Sequence, residues 1–153
     1  MKKFLNIGIT IILVLSIMGC SQSNRLHGIH LPEPIDKKVY KNITFSDTVN
    51  YYIYYYDEKT INEFFGMEGF EKVTANNIDE ITGYMKWFKR RAKACDEPYK
   101  YNYKSFLEEG DLYYLVDYLI DEYDDNPLLK YQRYNLFYVD VSECILYVLH
   151  VDI

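Results

Sequence analysis

Apolar and polar positions recur along this chain with two different periods, and the period of each stretch predicts its element. Residues 49–56 read VNYYIYYY. β-branched and aromatic side chains favour a pleated strand, where each packs on cross-strand neighbours. Alternation places Tyr52, Tyr54 and Tyr56 on one face, and Tyr51, Ile53 and Tyr55 on the other. Tyrosine suits either, because a buried ring can keep a wet hydroxyl. Residues 39–46 read as an earlier strand that turns at Ser46-Asp47, and Asp57-Glu58-Lys59 closes the second strand. A short helical turn over residues 60–65 and a brief strand over residues 70–74 follow.

The period then changes. Ile78, Ile81, Met85, Phe88, Ala92 and Cys95 are spaced by three or four, one apolar stripe on a helix running from Ile78 to about Ala94. Asn77 and Glu80 predict a capping box at its start. Gly83 costs the helix about 1 kcal/mol relative to Ala. Lys86, Lys89, Arg90, Arg91 and Lys93 suit the negative end of the helix dipole, and Pro98 lies beyond the stop. Residues 105–123 satisfy both periods: Leu112, Leu115, Val116, Leu119 and Ile120 fit a helix, while Leu112, Tyr114, Val116, Tyr118 and Ile120 alternate. The break at Gly110-Asp111 favours a strand over residues 112–119. Residues 134–141 and 144–151 predict a closing hairpin connected at Ser142-Glu143, without the Asn-Gly or Asp-Gly signature. The fold class is therefore α+β: a meandering antiparallel sheet with one principal amphipathic helix, residues 78–94, packed on it.

Composition narrows the function classes. The chain has 153 residues, enough for one domain, and its hydrophobic share of 49% excludes wholesale disorder. A net charge of −6 argues against nucleic-acid binding, which rests on basic surface. There are 18 tyrosines, too many for one small core, so some are expected at the surface. Tyrosines supply large contact area at low entropic cost, and Tyr52, Tyr54 and Tyr56 form the candidate binding surface.

The first residues carry an address. Lys2 and Lys3 precede an apolar run from Phe4 to Met18, then Gly19, Cys20 and Ser21. A basic start, an apolar middle and a small residue before the cut make a secretory signal peptide. Ile17-Met18-Gly19-Cys20 resembles the bacterial lipobox, with Met18 in place of its usual small residue. The resemblance implies a diacylglyceryl group on the Cys20 thiol, cleavage after Gly19 and a mature chain beginning at Cys20. Two acyl chains hold a protein stably, where one does so only marginally at about 0.8 kcal/mol per buried methylene. The competing reading is an uncleaved membrane helix, since an uncharged stretch of about 20 residues can span a bilayer.

Cleavage removes 19 of 153 residues, leaving 134, and takes two bases and no acid, so 15 bases face 23 acids for a charge of −8. Such a body is repelled by anionic lipid and should stand off the bilayer. The expected organisation is a signal peptide over residues 1–19, a tether over residues 20–38 and a globular domain over residues 39–153. The abundant Lys, Asn, Ile, Tyr and Phe fit an AT-rich genome, which with the lipobox suggests a low-GC Gram-positive bacterium and an outward-facing membrane anchor. The GDLYYL, YNLFYVDV and CILYVLH stretches resemble those of small secreted or lipid-anchored proteins of such bacteria, a resemblance that brings no activity with it.

Reactive chemistry is sparse. With Cys20 lipidated, Cys95 and Cys144 remain, and outside a reducing compartment they permit one disulfide; two buried free thiols are the alternative. No CxxC occurs, so redox and zinc-ribbon readings lack support. His27 and His30 form HxxH in the tether, where nothing fixes them as metal ligands. His150 reads as a structural histidine. Asp121, Glu122, Asp124 and Asp125 lack the EF-hand spacing and its glycine. Neither GxSxG nor SxxK nor a phosphate loop is present. Trp87 among the bases of residues 86–93 offers a site for anionic lipid or wall polymer, against the plainer reading of dipole complementarity.

No metal or cofactor is expected. The residues favour a non-enzymatic, membrane-tethered binding module with an unknown protein or glycan partner. Alternatives are a structural, accessory or self-protection envelope lipoprotein and, less favoured, a small carboxylate-based hydrolase.

Overall fold

The computed structural model describes residues 25–43, 48–94, 101–120 and 131–153. Contacts divide the chain into two compact units, Met1–Pro32 and Glu33–Ile153. Within the first, β1 (Arg25–Leu26) and β2 (Ile29–His30) form a small hairpin. Its turn residues His27 and Gly28 have φ of 48° and 86°, the left-handed pair that a two-residue hairpin turn requires. The stretch expected to be a tether thus contains a hairpin.

The second unit belongs to the α+β class but is mostly sheet. It contains β3 (Asp36–Ile43), β4 (Thr48–Tyr55), a short α1 (Glu58–Ile61) running into a 3₁₀ turn (Asn62–Gly66), β5 (Glu71–Lys72), α2 (Ile78–Ala94), a 3₁₀ turn (Tyr103–Ser105), β6 (Leu112–Ile120), β7 (Tyr131–Asp140) and β8 (Ile145–Asp152). The sheet order is β3-β4-β8-β7-β6-β5, antiparallel throughout. This differs from a plain meander: the last strand inserts between β4 and β7, so the N-terminal hairpin and the C-terminal strands become one sheet. The sheet begins at Asp36, three residues before the strand expected from residue 39. The ambiguous segment is the strand β6, and among the described residues no helix is long and apolar enough to cross a membrane.

One sheet face carries Val49, Tyr51, Tyr134, Leu136, Tyr138, Leu149 and Val151, which share a buried cluster with Ile81, Tyr84, Met85, Phe88 and Ala92 of α2. The helix has the predicted bounds, and its buried stripe is wider than the spacing suggested because Tyr84 and Trp87 join it. The predicted capping box does not form. Asn77 turns back instead, accepting from Thr74 N at 2.8 Å and donating from Nδ2 to Lys72 O at 3.0 Å. The Asn77 N–H, which the Glu80 side chain would accept in such a box, is already satisfied by Thr74 O at 3.1 Å.

The other face carries Leu112, Phe137, Val139, Leu146 and Val148, with Phe64 and Phe70 against it: Phe64 meets Phe70 edge-on at 5.3 Å, and Phe70 meets Tyr114 at 5.5 Å and Phe137 at 6.4 Å. Gly69, at φ 88°, admits this approach, because a Cβ there would run into the Tyr114 ring. The β7–β8 connection spans four residues rather than two. Asp140 Oδ1 accepts from Ser142 Oγ at 3.0 Å and Glu143 N at 2.9 Å, and Cys144 closes the turn with φ of 55°.

Gly69→Ala should therefore lose about 2 kcal/mol or more, from a left-handed penalty plus the displaced Tyr114 ring. Urea denaturation checks this; a change under about 0.5 kcal/mol would contradict the packing described.

Candidate functional site

The expected site residues are placed as follows. Cys20, Cys95, the Ser46-Asp47 turn and the acids Asp121, Glu122, Asp124 and Asp125 lie outside the described residues. Cys144 is a half-buried free thiol whose Sγ lies 3.8 Å from Val141 O. Burial, with the charges of Glu58, Asp140, Asp57 and Glu143, raises its pKa, so it stays protonated and weakly nucleophilic near neutral pH. Tyr52, Tyr54 and Tyr56 share a face, as alternation requires, with Tyr52 and Tyr54 stacked at 6.3 Å. Their exposures are 7%, 8% and 5%, so the three rings are covered and not displayed. Burial, the largest influence, pushes the Tyr54 hydroxyl up to about 12. Trp87 is likewise buried, with the Arg90 and Arg91 guanidiniums 5.7 and 5.0 Å from its ring centre. That arrangement shields the indole and leaves the charges outside.

Aromatic rings with accessible area gather elsewhere, on the helix-bearing face towards the β3 edge. Tyr40 of β3 stacks on Tyr51 of β4 at 6.0 Å and 22°. Tyr51 stacks on Tyr147 of β8 at 6.2 Å and 7°, and Tyr147 on Phe106 at 4.2 Å and 14°. Four near-parallel rings thus cross three strands onto the loop after α2. Tyr40, Tyr147 and Phe106 are half-buried, as are Ile53 and Tyr55 beside them. Lys38 extends over the Tyr55 ring at 5.3 Å. Its pKa is raised, first by a hydrogen bond with the Tyr55 hydroxyl, so it is cationic at any physiological pH. The row joins flat ring faces to the open basic edge of β3.

Two polar constellations are legible only in three dimensions. Asn50, His150 and Asn135 are register partners on β4, β8 and β7, one polar rung across the middle of the sheet. His150 Nδ1 lies 2.7 Å from Asn135 Oδ1, an oxygen that can only accept, so Nδ1 carries the proton. Burial lowers the His150 pKa, with Asp152 opposing. Asn50 is 6% exposed, and its Oδ1 has no hydrogen-bond partner among the described residues.

The second constellation is Asp111 with Tyr138. The Tyr138 hydroxyl contacts Asp111 Oδ2 and Phe106 O (2.9 Å) while accepting from Glu108 N at 3.0 Å; Asp111 Oδ1 accepts from Val141 N at 3.0 Å. One hydroxyl proton cannot serve two acceptors fully. Tyr138 divides its single hydroxyl proton between Asp111 Oδ2 and Phe106 O. Burial raises the Asp111 pKa, with the hydrogen bonds from Tyr138 and the Val141 N–H opposing. The network latches the loop carrying Phe106 onto β7. Asp111 and Asp140, the buried carboxylates among the described residues, are thereby both engaged in structural hydrogen bonds. Among the described residues no three His, Cys, Asp or Glu side chains are grouped to hold a metal.

No protein family matches the chain, and no curated protein or solved structure is significantly similar to it. The site reading therefore rests on geometry alone. Lys37 and Lys38 fall in the stretch expected to be a tether, and Tyr40 and Lys41 in the strand expected from residue 39, where neither has an expected role; the alternation of Lys37, Val39 and Lys41 with Lys38 and Tyr40 is the available signal.

An acid whose folded pKa is raised contributes stability that is complete below its unfolded value, about 3.9, and is lost as pH rises through the folded value. Asp111→Asn, which mimics the protonated acid, should abolish this decline and be at least as stable as wild type at pH 7. Asp111→Ala should lose about 1–3 kcal/mol by orphaning the Val141 N–H. Urea midpoints measured from pH 4 to 7 check both; a wild-type midpoint that rises through that window in an Asp111-dependent way would contradict the assignment.

Proposed function

We propose that this chain is an extracytoplasmic lipoprotein, anchored by a lipid on Cys20 to the outer face of the cell membrane, whose folded body is a non-enzymatic interaction module. The observation that carries the anchor is the run from Lys2 through the apolar residues to Ile17-Met18-Gly19-Cys20. Thiol lipidation followed by cleavage supplies two or more acyl chains, enough for stable attachment. The interaction reading is supported by the half-buried ring row of Tyr40, Tyr147 and Phe106 beside Lys38, and by the structural engagement of both buried carboxylates. The module offers shape and charge where a catalyst would need a poised acid, base or nucleophile.

Metabolic labelling with palmitate tests the anchor. The wild-type chain should incorporate label and begin at Cys20; Cys20→Ser should remain unlabelled and keep residues 1–19. An unlabelled wild-type chain, or one retaining its first residues at maturity, would overturn the proposal.

A further inference from the structure

The free edge of the sheet at β3 differs from the rest of the surface in three ways. It is continuous: all eight residues, Asp36–Ile43, pair with β4 in unbroken register, so the opposite edge of β3 presents a regular row of backbone groups. At the other end of the sheet β5 has two residues, and the β6–β7 pairing is interrupted by register shifts. It is bare: residues 35–39 and Lys41 are exposed, Ile35 at 72% and Val39 at 42%, two of the three large apolar side chains displayed among the described residues. It is basic: Lys37, Lys38 and Lys41 lie within five positions, against Asp36 alone, in a protein whose net charge is −6.

These features discriminate between occupants. A second copy adding its own β3 antiparallel about Val39 would set Lys37 opposite Lys41, and registers centred on Lys38 or Lys41 bring that lysine against its counterpart. Like charges directly opposite destabilise a pair, and edge lysines are a known device against self-association. An extended segment with acids at alternate positions meets the opposite situation. Its backbone completes the ladder, its acids lie on the face of Lys37 and Lys41, and its aliphatic residues lie on the opposite face, beside the half-buried Tyr40. We infer that β3 is a docking edge for an extended, acidic, aliphatic-bearing segment of a partner protein, which adds to the sheet as a seventh strand. This names the surface of the interaction module proposed above and rests on that reading. The docking itself is independent of the anchor: it uses backbone groups and three lysines that exist whether or not Cys20 carries lipid.

The test uses the full chain purified in a neutral detergent and three capped hexapeptides: (Val-Glu)3, (Val-Lys)3, and (Val-Glu)3 methylated on every backbone nitrogen. The Glu peptide should bind, shift the amide resonances of β3 and slow their exchange. The Lys peptide should bind at least about tenfold more weakly at low salt, and the gap should shrink at high salt. The methylated peptide should fail, because neither edge of its backbone donates any longer. The triple change Lys37→Glu, Lys38→Glu and Lys41→Glu alters only exposed side chains, so the fold should hold and the preference should reverse. Absence of binding by the Glu peptide overturns the inference. Equal binding of its methylated form, or displacement of both by inorganic polyphosphate, would show plain attraction of polyanions and overturn it as well. If docking succeeds and palmitate labelling fails, the anchor reading falls alone; if labelling succeeds and docking fails, the edge reading falls alone.

Discussion

Pairing of the last strand on both its sides is the constraint on which the rest depends. β8 bonds to β4 along one edge and to β7 along the other, eight register positions each. Without it the β3–β4 hairpin and the β5–β7 strands would be separate ribbons, each with a solvent-exposed face, and small isolated hairpins are marginal in water. With it, Leu146, Val148, Leu149 and Val151 sit fully buried between the two halves. The β4–β8 pairing joins segments ninety or more residues apart, so its closure is slow and must be specified against slippage. The Asn50–His150–Asn135 rung supplies that specification. A slip of one residue would turn every side chain of β8 to the opposite face. It would also place the His150 ring among the aliphatic and aromatic side chains under α2.

The same closure decides where aromatic surface ends up. Two layers cover the sheet, α2 and the loop after it on one face, α1 and its 3₁₀ turn on the other. Rings beneath them find internal hydroxyl partners: Tyr134 donates to Tyr84 O at 2.9 Å and Tyr138 to Phe106 O. On the helix-bearing face α2 packs on β4, β7 and β8, and Tyr40 and Tyr55 nearer the β3 edge stay half-buried. The half-exposed row at Tyr40 and Tyr147 is thus a consequence of helix placement, and its continuity with the lysines of β3 makes one surface with flat, apolar and cationic parts.

Much of this could be read in the chain, and the reasons for the failures are physical. Strand β4, helix α2 and the closing hairpin each bury a face with a clear period, so local pattern and tertiary structure agree. The tyrosines of β4 show the limit of that logic: alternation predicts which rings share a face but not which face another layer covers, so Tyr52, Tyr54 and Tyr56 were drawn as surface and are buried. The insertion of β8 next to β4 is a pairing between segments some ninety residues apart, about which period-two patterns are silent. Asn77 is a good cap by type and spacing, yet both its N–H and its side chain are engaged by the preceding turn at Lys72 and Thr74. Asp111 looked like a turn residue, and its role as the second partner of Tyr138 depends on a contact across the sheet.

Native-state amide hydrogen exchange, measured residue by residue, tests the account most directly. Amides of β7 and β8 should exchange only through global unfolding, and those of β3 should divide, inward-facing ones protected by β4 and outward-facing ones exchanging as in a free peptide. Uniform protection along β3, equal to that of β8, would mean that the edge is already covered and would contradict both the strand order and the open surface derived from it.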